Sequence, residues 1–488
     1  MLFNSFSFIF AFLPVTLLVY FLLGRYREGR LSNGWLALAS LFFYGYWDMR
    51  FLPLLLGSIL VNYFLGGRIA GAKAQASGEK RAGRGWFYAG LLFNLGLLCW
   101  FKYMDFLIGS VDKLTGLDIP LLHIMLPLGI SFFSITQLVY LIGIYFYNEG
   151  KGERDFVNYA LFVSFFPHLL AGPILYHKPM MKQLQNPALK VPQAENFARG
   201  LALFTIGLTK KVIIADAFIA PVAAGFNNAA GLSALDAWVL AAAYALQLFF
   251  DFSGYSDMAV GAARMLNIDI PVNFRAPFRA GNLSDFWSRW HMSLTMTIMS
   301  YIYTPMIRMR KKLTLSWGIF STMVTMTIIG IWHGAGGTFV LFGLLQGAGL
   351  SLNQVWKHYH LPCPKFLGHF LTLSFVAFSC VLFRADSISQ ALTVYRAMFG
   401  RGGGTSHLLA WGPSEVTFSW GAPPFTYLPA DLWVPVLAVL LIIYCPESNE
   451  LVKKHFRPNL RWALALAVMF VFSVLHFTQV TAFLYFQF

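Results

Sequence analysis

Two histidines occupy positions where an otherwise apolar chain could do acid–base chemistry. His291 lies in the motif DFWSRWHMS at 285–293, and His333 lies in WHGA at 332–335. An ionisable group at membrane depth is costly, so its presence needs a functional or a structural reason. A neutral imidazole can take a proton from a hydroxyl near pH 7, which makes each histidine a candidate general base.

The surroundings of His333 favour it as the catalytic residue. Apolar runs at 316–332 and 338–356 flank it, and glycine is frequent between them. The first run would rise about 25 Å as a helix, close to the ~30 Å hydrocarbon core of a bilayer. The pattern predicts a helical hairpin with His333 at its tip and glycines that let a substrate approach. A structural or proton-relay histidine is the alternative.

His291 has two interpretations that stay open. On a helix it would stack on Trp287, four residues earlier. It would then either orient an acyl group or a carbonyl, or only hold the helix in place.

The segment 273–312 combines basic and aromatic residues. It carries seven Arg and Lys residues against one acid, Asp285, so it is too charged to cross a bilayer. Such a segment predicts helices lying in the cytoplasmic interface. Arg289, four residues after Asp285, is well placed to pair with it. The segment is either an anchor on anionic lipid or a basic mouth for a phosphate-bearing donor, with Arg289 as a binding residue.

Composition identifies the elements that must position these residues. The chain is 57% hydrophobic and 12% charged, against roughly 25% charged residues in soluble domains. We predict an all-α polytopic membrane protein with about 10–12 transmembrane helices plus re-entrant and interfacial helices. Basic residues cluster after the first apolar run (Arg25, Arg27, Arg30), after the third (Lys73, Lys80, Arg81, Arg84) and before the last (Lys453, Lys454, Arg457, Arg461). These loops are expected to be cytoplasmic, which places both termini and the 400–430 loop outside.

Several other functions are disfavoured. The net charge of +15 follows from the cytoplasmic loops, so no nucleic-acid partner is expected. The four cysteines are scattered, and neither a metal site nor a disulfide framework is predicted. Two prolines and a glycine at 167–173 break any straight helix and are expected to line the interior, with His168 either structural or functional. Asp251 and Asp257 are expected to be internal hydrogen-bond or ion-pair groups.

Six motifs together identify a family resemblance. They are FPHLLAGP at 166–173, DFSGYSDMA at 251–259, NFRAP at 273–277, DFWSRWHMS at 285–293, WHGA at 332–335 and FLYFQF at 483–488. The chain resembles the bacterial membrane-bound O-acyltransferases, with an order and spacing nearest to the alginate O-acetylation branch. One departure is Asp285, where alginate-type members usually have Glu. The resemblance implies a ring of transmembrane helices around a central reaction tunnel. We expect one membrane domain over 1–488, with N-terminal helices at 1–155, a catalytic core at 156–356 and C-terminal helices at 357–488.

The resemblance also implies a reaction. Its donor is a cytoplasmic acyl thioester, with acetyl-CoA expected, and no bound cofactor or metal is needed. The acetyl group crosses the bacterial inner membrane to an extracytoplasmic polysaccharide such as alginate, directly or through a periplasmic partner of the SGNH-hydrolase type. His333 corresponds to the catalytic histidine and His291 to the second family histidine.

Three residues are assigned supporting roles in this reaction. Trp332 is expected to shape the pocket, while Asn273 or His291 holds the donor or the oxyanion. The competing function is a transporter or exporter of polysaccharide or lipid-linked sugar, which predicts inverted repeats. No repeat is visible in the sequence.

Overall fold

Helices form all the regular secondary structure in the part of the chain that the structure describes. This computed structural model describes residues 1–26, 29–75, 81–147, 153, 155–402, 430–477 and 483–484. An α-helix satisfies its backbone hydrogen bonds internally, which apolar segments in a bilayer require. The predicted all-α class is confirmed.

Among the described residues, eight helical segments are long and apolar enough to cross a membrane. They are Ser7–Gly24, Met49–Gln75, Arg84–Thr115, Ile130–Tyr147, Ala234–Met265, Leu315–His333, Gly337–His358 and Lys365–Arg384. The chain is therefore a multi-pass membrane protein, as predicted. The count of 10–12 crossings stays a prediction, as does the division of the domain at 155 and 356. The outer loop expected at 400–430 lies largely outside the described residues.

The chain divides into two compact units. The first unit comprises Met1–Thr205, Tyr255–Val272 and Phe456–Leu466, and the second comprises Ile206–Gly254, Asn273–His455 and Ala467–Phe488. Three helices contribute residues to both units, namely α10 (Ala194–Thr209), α12 (Ala234–Met265) and α22 (Leu460–Leu475).

The first unit contains the N-terminal helices. They are α1 (Leu13–Gly24), α2 (Arg30–Gly45), α3 (Leu52–Gln75), α4 (Arg84–Leu98), α5 (Met104–Thr115), α6 (Ile130–Tyr147), α7 (Phe156–Ser164), α8 (Phe166–Leu169), α9 (His177–Leu184) and most of α10 (Ala194–Thr209). The predicted break at 167–173 is confirmed, because α8 ends after a single turn and the buried chain beyond it is not helical. The ring of His168 is buried and its Nε2 lies 3.0 Å from the carbonyl oxygen of Phe162, which fits the structural alternative.

The second unit contains the remaining helices. They are α11 (Ile219–Asn227), most of α12 (Ala234–Met265), α13 (Leu283–Trp287), α14 (Met292–Ile298), α15 (Thr304–Arg308), α16 (Leu315–His333), α17 (Gly337–His358), α18 (Lys365–Arg384), α19 (Ile388–Met398), α20 (Ala430–Tyr444), α21 (Ser448–Lys454) and part of α22 (Leu460–Leu475). A π-helical segment, Lys210–Ala215, continues from α10.

Helices α16 and α17 form the predicted hairpin. His333 is the last residue of α16, and α17 begins at Gly337. The two helices cross closely because Gly330 faces the backbone of Phe339 and Gly343, and Gly343 faces the backbone of Met326. Glycines at such a crossing let helix backbones approach within van der Waals contact.

The basic and aromatic segment at 273–312 folds into helices, and their location in the cytoplasmic interface stays a prediction. Helix α13 contains five residues, whereas α14, the π-helical segment Met299–Tyr303 and α15 follow one another without a break from Met292 to Arg308. Its basic end, from Arg308 to Lys312, is exposed, and the Arg310 guanidinium lies 4.6 Å from the centre of the Trp317 ring.

Candidate active site

The imidazole of His333 is enclosed by aromatic rings. Its residue is 6% exposed. The centre of its ring lies 5.1 Å from that of Trp332, 5.2 Å from that of Phe383 and 6.4 Å from that of Phe342. The end of α16 and the facing helices α17 and α18 therefore place this imidazole in a mostly apolar environment.

A cavity lies beside His333 within the second unit. It is lined by Ala245, Leu248, Phe278, Phe286, Trp287, Trp290, His333, Phe342, Gln346, Val376, Ser379, Cys380 and Phe383. Trp287 Nε1 donates to Gln346 Oε1 at 3.2 Å, and Gln346 Nε2 donates to Ser379 Oγ at 2.7 Å. These polar lining groups are bonded to one another, so His333 supplies the imidazole that can accept a proton in this cavity.

His291 is held in an unusual backbone conformation. Its φ is 45° and its ψ is 51°, in the left-handed region, and α14 begins only at the next residue. The expected helical stacking on Trp287 is therefore wrong, because a left-handed residue interrupts the helix on which an i−4 contact depends. The His291 ring instead packs edge-on against Phe252, with ring centres 4.7 Å apart.

Two backbone hydrogen bonds flank His291. The Arg275 N–H donates to the Arg289 carbonyl at 3.0 Å, and the Met292 N–H donates to the Asn273 carbonyl at 2.9 Å. The segments 273–275 and 289–292 thus form a short antiparallel pair that fixes the backbone on both sides of the histidine.

The Asn273 side chain reinforces this pair. Its Oδ1 accepts from the Ser293 hydroxyl at 2.6 Å and from the Ser293 amide at 3.3 Å. Asn273 is therefore placed beside the His291 segment, where it supports the backbone. Its predicted role toward donor or oxyanion stays a prediction.

Burial keeps His291 neutral. The residue is fully buried, and this desolvation lowers the pKa of its imidazole to about 3. A neutral imidazole has one N–H donor and one acceptor nitrogen. His291 can therefore donate a hydrogen bond to an oxygen at neutral pH, but it is a poor proton acceptor.

Trp332 brings the two histidines together. The centre of its ring lies 6.3 Å from that of His291 and 5.1 Å from that of His333. The structure thus places three of the predicted site residues side by side, although 42 positions separate the histidines in the sequence. It does not test their predicted roles.

Arg289 is engaged by an acid. Its Nε lies 2.7 Å from Asp285 Oδ1, and both side chains are about one-third exposed. The ion pair predicted from the i, i+4 spacing is confirmed. The residues on either side of this turn, Trp287 and Trp290, line the cavity, whereas the contribution of Arg289 to donor binding stays a prediction.

Buried lysines escaped prediction from the sequence. Lys211 Nζ lies 2.6 Å from Asp251 Oδ1 and 2.6 Å from Asp216 Oδ1. The other oxygen of Asp251 accepts the Leu484 amide at 3.0 Å. Asp251 is therefore an internal ion-pair group, as predicted. Two adjacent lysines inside an apolar run were the available signal, because such charges require buried acidic partners.

Comparison with known proteins decides the family. A profile of the membrane-bound O-acyltransferase family matches residues 131–393, which is more than half of the chain and includes both histidines. The chain belongs to the membrane-bound O-acyltransferase family. Its members transfer acyl groups, so the protein is a membrane-bound O-acyltransferase.

Individual members of the family differ in what they modify. The chain is 40% identical over 432 residues to the peptidoglycan O-acetyltransferase of Helicobacter pylori, covering 83% of this chain and 80% of the relative. It is 35% identical over 413 residues to a probable alginate O-acetylase of Pseudomonas putida, covering 82% and 81%. It is 28% identical over 276 residues to the teichoic acid D-alanyltransferase of Bacillus subtilis, covering 52% and 69%. The higher identity to a peptidoglycan enzyme means that the alginate-like spacing does not select the acceptor.

Proposed function

We propose that this O-acyltransferase moves an acetyl group from acetyl-CoA, or a similar cytoplasmic thioester, to hydroxyls of an extracytoplasmic polysaccharide. The observation that carries the proposal is the His333 imidazole, which lines an aromatic cavity at the tip of an apolar hairpin. Relatives named for O-acetyl and D-alanyl transfer support a short acyl group. The acceptor is a polymer such as peptidoglycan or alginate, reached directly or through a serine of an SGNH-type partner.

His333 in the cavity and the neighbouring His291 can carry out the transfer in one series of steps. A nitrogen of His333 accepts the proton of the acceptor hydroxyl while the oxygen of that hydroxyl attacks the thioester carbonyl carbon. The carbon–oxygen bond forms, the carbon–sulfur bond breaks, and the imidazolium returns the proton to the departing thiolate. We assign to neutral His291, whose ring centre lies 6.3 Å from that of Trp332, the N–H that donates to the carbonyl oxygen as negative charge develops there. The aromatic walls limit water, which would otherwise hydrolyse the thioester.

The membrane orientation belongs to the same proposal. The clusters of basic residues put the loops after α1 and α3 and the loop before α22 in the cytoplasm of a bacterial inner membrane. The exposed bases at the end of α15, including Arg308 and Arg310, then face the same side as acetyl-CoA. Their charge suits the phosphates of such a donor and the headgroups of anionic lipid.

Release of CoA from labelled acetyl-CoA by the purified protein in lipid nanodiscs tests the proposal. With a soluble polysaccharide fragment as acceptor, His333→Gln is expected to lose at least about 100-fold in turnover, as expected for removal of a general base. His358→Gln is the matched control, because that histidine is exposed at the far end of the same hairpin. Wild-type turnover by His333→Gln would refute the role of His333. Polysaccharide transport by a wild-type protein that releases no CoA would favour the exporter.

A further inference from the structure

Glu447 is a buried carboxylate that the reaction described above does not use. It precedes α21 and is 8% exposed. Its Oε1 lies 2.8 Å from Lys210 Nζ, and its Oε2 accepts the Ala276 amide at 3.1 Å. A charge buried to this degree needs partners of this kind.

The carboxylate of Glu447 is ionised at neutral pH. Burial alone would raise its pKa, but the Lys210 ammonium and the amides of Ala276 and Ser448 outweigh that effect and hold the pKa below its usual value. The ion pair with Lys210 is therefore present under the conditions in which the enzyme works.

Ala276 is the point at which this charge acts on the site. Its φ is 46° and its ψ is 61°, a left-handed conformation that is unfavourable for alanine. Such a conformation persists only where the surroundings enforce it. The bond from the Ala276 amide to Glu447 supplies part of that restraint. The three residues before Ala276 are those that pair with 289–292 and hold His291.

Arg279 fastens the same loop from the opposite direction. Its guanidinium donates to the carbonyl oxygens of Ile442, Ile443 and Cys445 at distances from 2.6 to 3.0 Å. Ile442 and Ile443 lie in the last turn of α20, where helix carbonyls lack helical donors, and Cys445 follows directly after the helix. Two sets of hydrogen bonds thus join the chain at 442–447 to the loop at 273–279. Arg279 donates to carbonyls at 442–445, and the Glu447 carboxylate accepts from the Ala276 amide.

We propose that Glu447 is a positioning residue for acyl transfer. With Lys210, it holds the turn at Ala276 and so keeps the backbone pair on either side of His291 in register. It acts through a backbone amide and not on the reacting atoms. The kinetic part of this inference rests on the proposed function, whereas the restraint on the loop does not.

Substitutions at the ion pair test the kinetic part. Glu447→Gln keeps the size and removes the charge, and Lys210→Met removes the partner. Each is expected to lower kcat for CoA release by about 10- to 100-fold, because small misplacements of a site have effects of that size. The KM for the thioester should change less than about threefold, because neither substitution removes a contact that binds the thioester equally in the ground state and the transition state.

Three further variants separate positioning from loss of structure. Lys210→Arg keeps the charge and should retain most of the turnover. The double variant Glu447→Gln with Lys210→Met should be no slower than the worse single variant, because both remove one interaction. Glu195→Gln is the matched control, since it removes a glutamate charge from an exposed pair with Arg199 on α10. It should behave like the wild type.

Hydrogen exchange tests the restraint without reference to activity. In Glu447→Gln the amides of peptides covering 273–292 should exchange faster, while those of α16 and α17 keep the wild-type rate. Unchanged exchange at 273–292 overturns the inference, and so does faster exchange with wild-type kcat. If the wild-type protein released no CoA, the proposed function would fail, yet faster exchange in Glu447→Gln would still support the restraint.

Discussion

The close crossing of α16 and α17 makes Gly330 a sensitive position. A Cβ added there would lie 2.4 Å from the carbonyl oxygen of Phe339 and 2.7 Å from the Cα of Gly343. Since non-bonded heavy atoms settle near 3.5 Å, relief of these contacts requires the helices to separate by roughly 1 Å. Gly330 is one helical turn before His333, so the displacement reaches the proposed base directly.

Gly330→Ala should therefore reduce both stability and turnover. Overpacking of this kind typically costs about 1–3 kcal/mol in unfolding free energy. A shift of about 1 Å in a reacting group can lower the rate about 100-fold. We expect a lower midpoint of thermal unfolding in detergent and a loss of CoA release between about 10- and 100-fold.

Gly318→Ala is the control for this experiment. It lies on the same helix, but the nearest atom to its added Cβ is Gln354 Oε1 at 3.7 Å, an ordinary contact. It should keep wild-type stability and turnover in the same two assays. Equal turnover of Gly330→Ala and Gly318→Ala would refute the claim that the glycine crossing sets the position of His333.

Three other perturbations have defined outcomes. Burial lowers the pKa of His291 to about 3. Below about pH 6.5 the unfolded chain therefore binds a proton at this residue while the folded chain does not. The free energy of unfolding should fall by about 2 kcal/mol from pH 7 to pH 5. His291→Asn, which tolerates positive φ, should remove that part of the pH dependence of thermal unfolding. Lys211→Met should lower the free energy of unfolding by about 3–5 kcal/mol, because it leaves the Asp251 charge without this partner. Adding Asp251→Asn should restore part of that free energy, and no recovery in the unfolding midpoint would contradict the ion pair. Arg279→Gln should lower the free energy of unfolding by about 1 kcal/mol, because it removes hydrogen-bond donors from the end of α20. An unchanged midpoint of thermal unfolding would show that water replaces these donors fully.

Local patterns were sufficient to predict the hairpin. The length of the apolar run 316–332 and the glycines after it depend only on residues close in the sequence. They were enough to predict that α16 ends at His333. Helical spacing also predicted the ion pair of Asp285 with Arg289.

The detailed geometry of the site depends on distant residues and was not predictable in this way. His291 lies outside a helix because 273–275 pairs with 289–292, and no helical period encodes such a pairing. The partner of Lys210 lies 237 positions away at Glu447. A single sequence shows that a buried lysine needs an acid, but not which acid.

The bond between Asp251 and the Leu484 amide has a consequence for the order of folding. The two residues are 233 positions apart, and bringing such distant segments together carries a loop-closure entropy that local helices do not face. Helices such as α12 and the α16–α17 hairpin can form early from neighbouring residues, whereas this bond joins segments made at very different times during synthesis. The core around the lysines is therefore completed late. The acyltransferase therefore lacks this buried ion-pair cluster while its helices are still being inserted.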